Sequence, residues 1–451
     1  MSGRSETDQT RTTSRRDFLA ATTAVATVTV SVSGCLSVFD DDGDDLPALD
    51  FEERDVVSVA EIEVPTGLDR LPVDLDSEHV EASRDRADSL LSTVPENLTA
   101  EIPNEAVRSA IVESRNDARD SLEEASDASR TSGLLSSLRS ARQDAARAEG
   151  MYAVTAGDRS RATVFEEADV LRDDRSEIVE KLSATGEDAQ KTALVYNEVE
   201  RLLDSAGRSL ENELDQIAPV ASEVEAVEVA AGAVERARAQ FEDATHLDEN
   251  QPDDEQFTEV YRGTTETLLA ESELRVEELP EEADELLSVD FPRLERTDVD
   301  RLLRTVHRDP DRMRSFLDEG QVARALRQAY WLVHTLETLD RLEEHAEERF
   351  VVPDSADDLR EAKQEALDEV EQLDTEHDSL RVYGVNRALN GVSVGDWNLQ
   401  QLEERSLELD EGGTRYVFEA FASYVVAAEL VRTTPGTTET VVDAIDEQRE
   451  M

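Results

Sequence analysis

Ala189-Gln-Lys-Thr-Ala193-Leu-Val-Tyr196-Asn-Glu-Val199-Glu-Arg-Leu-Leu203-Asp-Ser-Ala206-Gly-Arg-Ser-Leu210-Glu-Asn-Glu-Leu214-Asp-Gln-Ile217 is the stretch that decides the fold. Its apolar residues recur at steps of three and four, the spacing that places side chains on one face of an α-helix. The intervening positions are Glu, Asp, Arg and Asn, as the solvent side of a packed helix requires. Val107, Ile111, Ala118, Leu122 and Ala125 repeat the stride upstream, and Val322, Leu326, Ala329, Val333, Leu336 and Leu339 repeat it downstream. Small Ala knobs alternate with Leu and Val, which suits close antiparallel packing of long helices. The pattern predicts an all-α fold, an elongated bundle of long amphipathic helices with coiled-coil-like seams.

Helix breakers divide the bundle. Pro95, Pro103, Gly157, Gly186, Pro219, Pro280, Pro292, Pro310 and Pro353 fall at or near the expected helix ends, with Pro219 placed to kink a long helix. The most linker-like stretch runs from His246 to Glu255; it either separates a helical region 1 over 78–247 from a helical region 2 over 256–451 or is a loop at the end of one continuous bundle. Residues 53–77 read as an irregular or short-strand segment. Within it Arg54-Asp-Val-Val-Ser-Val-Ala-Glu-Ile-Glu-Val64 is the best strand candidate, a minor β element that would pair near residue 382. Ala118–Ser126 also resembles Ala237–Thr245, a candidate internal duplication.

The first 35 residues carry an address. Arg4, Arg11, Arg15 and Arg16 form a basic lead-in to an apolar run from Phe18 to Val32, too short to span a bilayer and suited to a signal peptide. Arg15-Arg16 followed by Phe18-Leu19 resembles a twin-arginine export signal, and Val32-Ser33-Gly34-Cys35 resembles a lipobox. This assigns 1–34 as a leader and Cys35 as the lipidation point. Residues 35–52 form an acidic tether that includes Asp40-Asp41-Asp42-Gly43-Asp44-Asp45, a run that lacks the ligand spacing of a calcium loop. One acyl chain holds only reversibly, so durable attachment needs a second chain or contact.

Composition supplies the setting. Net charge is -61, from 107 acidic against 46 basic residues, and only Lys181, Lys191 and Lys363 are lysines. Such a surface repels itself in dilute buffer and is screened in concentrated salt, with hydrated cations as its natural counter-layer. Acidity, scarce lysine and the twin-arginine lipobox leader together resemble exported lipoproteins of haloarchaea. That resemblance implies the outer face of the cell membrane as the location and a halophilic, lipid-anchored protein. No basic stripe exists to neutralise phosphates, which argues against nucleic acid as a partner.

Searches for chemistry return weak patterns. Gly391-Val-Ser393-Val-Gly395 matches a nucleophile elbow, but that motif needs a strand before the serine and a histidine after it, and the last histidine is His377. The sequence predicts instead a glycine turn leading into a helix near Trp397, with Asp396 as its cap. None of the six histidines has Glu three residues before it, as di-iron bundles require. His334 and His345 share a helix face but lie about 16 Å apart at 1.5 Å per residue. His334 reads as a core-edge residue and the other five as surface groups. With Cys35 the only cysteine, thiol, haem-attachment and cysteine-zinc chemistry drop out, and no cofactor or metal is predicted. Asn97-Leu98-Thr99 is a glycosylation sequon.

Tyr416-Val-Phe418-Glu-Ala-Phe421-Ala-Ser-Tyr424 concentrates aromatics in an aromatic-poor chain. It predicts a central buried helix packed on the Tyr330-Trp331 helix, or, in the alternative, a hydrophobic pocket of Tyr330, Trp331, Phe418 and Phe421. The leading functional expectation is a non-enzymatic, lipid-anchored extracytoplasmic protein for interaction with a protein partner, scaffolding or envelope architecture. A ligand-binding or sensory receptor with an inter-helix pocket is the alternative, and a carboxylate-based metal-dependent enzyme the third.

Overall fold

The computed structural model describes residues 49, 52–214, 222–373, 379–405, 409 and 411–451. The leader residues Arg15, Arg16, Phe18, Leu19, Val32, Ser33, Gly34 and Cys35, the acidic run Asp40–Asp45, Pro219 and His377 lie outside them. The protein is an all-α bundle of sixteen α-helices among the described residues, joined by one two-stranded ribbon. The first half contains α2 (Ser77–Ser92), α3 (Glu105–Asp127), α4 (Thr131–Ala156), α5 (Arg161–Lys181), α6 (Ala189–Arg208) and α7 (Glu223–Glu249). Helix α4 lies at its centre, with α2, α3 and α7 packed around it. Local chemistry sets the helix ends. Asp76, Asn104, Ser160 and Asp188 each accept a backbone N–H at an N-terminus, and Ser222 with Glu225 forms a capping box. Gly157 ends α4 at φ +84°, a conformation that glycine adopts without penalty. At Gly150 a Cβ would come within 2.9 Å of the Ala231 side chain, so the α4–α7 contact depends on the missing side chain.

The second half packs α8 (Thr258–Glu278), α12 (Val322–Glu344), α14 (Ala356–Gln372), α15 (Arg381–Arg405) and α16 (Glu411–Glu450) around one apolar core. Short helices α9 (Ala283–Leu287), α10 (Asp298–Val306), α11 (Asp309–Asp318) and α13 (Ala346–Arg349) fill the ends. Helix α12 touches α6, α8, α11, α15 and α16, so it joins the two halves. The ribbon also ties them: β1 (Thr185–Gly186) pairs antiparallel with β2 (Glu255–Gln256). The stretch from His246 is therefore helix to Glu249, then a turn and a strand, not a free linker.

Several local expectations change. Residues Glu53–Ala60 form a helix, α1, not a strand, and residue 382 lies inside α15. Val56 and Val59 are fully buried three residues apart, so packing on α15 and α14 overrides the β-preference of the valines. The described breakers lie outside helices or, for Pro310, in the first turn of α11, where its absent N–H is not needed. Pro435 behaves differently and lies inside α16. Thr433 and Thr434 hydroxyls donate to the Leu430 carbonyl at 3.1 and 2.8 Å, one residue before the Val431 carbonyl that the proline leaves without its helical donor. Gly391 and Gly395 are packing glycines in mid-α15 rather than a turn: a Cβ at Gly395 would lie 2.4 Å from the Tyr424 ring. Ser393 donates to its own helix at Leu389, and Asp396 is no cap but a buried partner of Lys363.

Candidate functional site

The polar interior converges on α12. Its own sequence provides no N-terminal side-chain cap, and Glu200 of α6 takes that place, accepting the N–H groups of Ala323 and Arg324 at 3.1 and 2.8 Å. Burial pushes the Glu200 carboxyl up to about 7, with those two N–H groups pulling the other way. No signal in α12 itself announces this contact, because the cap comes from 123 residues upstream.

One face of α12 carries Arg324, Arg327, Gln328 and Trp331, spaced i, i+3, i+4 and i+7. Arg324 pairs with Asp204 at 2.8 Å and lies over the Phe316 ring at 4.4 Å. Arg327 stacks over Trp331 at 4.5 Å and has no carboxylate partner among the described residues. The Nε atoms of Arg324 and Arg327, the Gln328 amide nitrogen and the Trp331 indole N–H are all buried without a hydrogen-bond partner. Tyr383 of α15 adds a hydroxyl in the same condition and is 5 % exposed. Burial lowers the Arg327 guanidinium to about 10; Tyr383 opposes this, while Arg324, Arg70 and Arg201 reinforce it.

A second cluster surrounds Arg387. His334 is fully buried, not at the core edge, and its Nε2 donates to the Leu430 carbonyl at 2.8 Å. That bond leaves Nδ1 as an unpartnered acceptor. Burial lowers the imidazole to about 3, and the Arg387 cation adds to the shift, so His334 is neutral. Asp309 is also fully buried, with neither carboxylate oxygen hydrogen-bonded. Burial pushes its carboxyl up to about 7 against Arg387 and Arg312. Its place in the first turn of α11 favours the anion by only about 1 kcal/mol, less than burial costs. Asp309 therefore stabilises the fold below its unfolded pKa of about 4, and that contribution is lost as pH rises to about 7. Asp309→Asn should make the protein more stable at pH 8 by up to about 4 kcal/mol, with little change at pH 4. Denaturant melts of both proteins at the two pH values would show this; equal stabilities at pH 8 would contradict it.

Elsewhere buried carboxylates are held by arginines from several helices. Glu235 of α7, 2 % exposed, pairs with Arg86 of α2, Arg142 of α4 and Arg238 at 2.7–2.8 Å. Burial alone would raise its carboxyl, but the three cations hold it below the usual range. Glu429 of α16, fully buried, pairs with Arg341 of α12, Arg349 of α13 and Arg432. In the first half, His79 stacks on His246 with ring centroids 4.0 Å apart and bonds Asp243 at 2.8 Å, while Arg139 holds the other Asp243 oxygen. The four described histidines expected at the surface, His79, His246, His307 and His345, are all half-buried.

The four aromatics proposed as one pocket lie in two places. Tyr330 is fully buried and contacts Thr438, whereas Phe418 and Phe421 stack around Phe291. Thr438 and Phe418 are 20 residues apart on α16, about 30 Å along the helix, so no single cavity holds all four. Tyr416 to Val431 is a buried stretch of α16, but Tyr424 lies against Gly395 and Asp396 of α15, and α12 meets α16 further along, at Glu429, Leu430 and Thr438. Trp331 joins the donor face instead. Asn97 is exposed in the α2–α3 loop, its Oδ1 accepting the Thr99 N–H. An open cleft of ≈ 530 Å³ beside Pro435 is lined by acids Glu337, Asp340, Glu439 and Asp443 with Arg341 and Arg432. No group of three or more metal-ligating side chains forms among the described residues.

Residues 78–255 match the model of a family described as a domain of unknown function (DUF8262), and residues 258–443 match a second, likewise a domain of unknown function (DUF8264). The two matches meet at the β1–β2 ribbon, and the α6–α12 contact joins them. No curated protein and no solved structure matches the chain significantly.

Proposed function

We propose that this protein is a lipid-anchored, extracytoplasmic helical body that acts through interaction and scaffolding rather than catalysis. The observation that supports a rigid scaffold is the pair of arginine clamps. Glu235 in the first half and Glu429 in the second each draw arginines from three helices onto one buried carboxylate. Removing one partner of such a cluster strands the others, so each clamp ties faces of three helices to one arrangement. The address rests on the leader: Arg15-Arg16 for export and Cys35 for the lipid. Cys35→Ser should shift the protein from the membrane fraction to the medium, and Arg15→Lys with Arg16→Lys should retain it in the cell. Wild-type and Cys35→Ser proteins found in the same fraction would overturn the anchor.

A second reading, a ligand-binding receptor, is supported by the unpartnered donors on α12. They lie where the two family-matched regions meet, the kind of junction at which ligand sites concentrate.

A further inference from the structure

Five side chains on α12 and α15 carry nitrogen or hydroxyl groups that have no partner: Arg324, Arg327, Gln328 and Trp331 along one face of α12, and Tyr383 of α15, whose phenol interacts electrostatically with Arg327. Their chemistry is one-sided. The unpartnered atoms are guanidinium Nε–H, amide NH₂ and indole N–H, all donors only, plus a phenol O–H that can donate. A buried donor left unmade bears its full desolvation penalty, so donors grouped along one helix face favour an acceptor that can reach them. Gln328 is 2 % exposed and Tyr383 5 %, so bulk water does not satisfy them.

The neighbouring carboxylates are already engaged. Glu198 pairs with Arg201, Asp204 pairs with Arg324 and Arg208, and Glu200 caps the α12 N-terminus. Arg327 forms no ion pair with any described carboxylate, in a protein with a net charge of -61. Its guanidinium face rests on Trp331, which fixes the plane and leaves the N–H edge for a planar, two-oxygen acceptor.

We propose that this face of α12, with Tyr383, is a binding site for a small oxyanion, a phosphate or carboxylate group, with Arg327 as its charged anchor. The proposal rests on the receptor reading and names its ligand class. It is independent of the membrane address, so the fractionation result does not bear on it.

The test is isothermal titration calorimetry of the full-length protein at fixed chloride, with inorganic phosphate, sulfate and citrate as separate probes. Saturable one-to-one binding of at least one of them is expected, together with a raised melting temperature. Phosphate binding with citrate inert would identify a phosphoryl ligand, and the reverse a carboxylate ligand. Arg327→Gln should weaken binding about 10- to 100-fold, the value of one charged hydrogen-bonded contact. Tyr383→Phe separates binding from folding. Its hydroxyl has no partner in the unliganded protein, so the variant should melt at or above the wild-type temperature and still bind more weakly. Absence of saturable binding by all three anions, or Tyr383→Phe binding as tightly as wild type, would overturn the site.

Discussion

Replacing Lys363 with alanine is expected to cost about 3–5 kcal/mol of stability and to release the first helix from the body. Lys363 is one of three lysines in the chain and is fully buried. Its ammonium donates to the carbonyls of Val59 and Ile62 at 3.0 and 2.7 Å and pairs with Asp396 at 2.8 Å, so all three donors are used. Asp396 in turn accepts the Tyr424 hydroxyl at 2.7 Å. One ammonium thus joins the C-terminal end of α1 to α14, α15 and α16. Alanine would strand Asp396 in the core and leave two carbonyls without their donor. Lys363→Arg keeps the charge, but its larger planar group must fit a space with no exposure, an overpacking cost of about 1–3 kcal/mol. Thermal melts should order the three proteins wild type, arginine, alanine, and limited proteolysis of the alanine variant should cut first between residues 53 and 65. An alanine variant that melts within a degree of wild type would contradict this account.

Removing salt is the second large effect. Two like charges 10 Å apart in water repel by only about 0.4 kcal/mol, but a net charge of -61 multiplies such pairs over the whole surface. At about 0.1 M salt the screening length is roughly 10 Å, so neighbours on a helix face still repel, whereas in molar salt it falls to about 3 Å. The core gives limited compensation. Its first-half helices pack many alanines, Ala226, Ala230, Ala233, Ala237 and Ala244 on α7 alone, and each buries little apolar area. The buried arginine clamps are screened much less and persist at either salt concentration. Loss is therefore expected as cooperative melting driven by the acidic exterior. Helicity by circular dichroism should fall on dialysis from about 3 M to about 0.1 M salt and return on re-addition. Identical helicity and melting temperature at the two concentrations would refute the halophilic reading.

The stride of Ala193, Tyr196, Val199, Leu203, Ala206 and Leu210 was legible because every one of those residues is buried in the fold. The aromatic run Tyr416 to Tyr424 was legible for the same reason: periodicity records which face a helix buries. Residues 54–60 read as a strand because Val56, Val57 and Val59 prefer strands locally, whereas the contacts that make them helical lie on α14 and α15, some 300 residues away. Pro435 breaks the local rule, since α16 continues through it, and the buried residues on both sides, Thr434 and Thr437, belong to the packed face that holds the helix together there.

The candidate site was less legible. Arg324, Arg327, Gln328 and Trp331 share one face in the sequence, yet in an arginine-rich acidic protein such a face reads as solvated surface. What separates it from surface is which carboxylates reach it. Glu198, Glu200 and Asp204 arrive from α6 already committed, and Tyr383 arrives from α15 with its hydroxyl unpaired. By itself the sequence determined the helices and their buried faces, because each is written in local spacing. Only the tertiary structure decided which charges are paired between helices, since those pairs bring together residues as far apart as Arg86 and Glu235, 149 positions, where water cannot replace a missing partner.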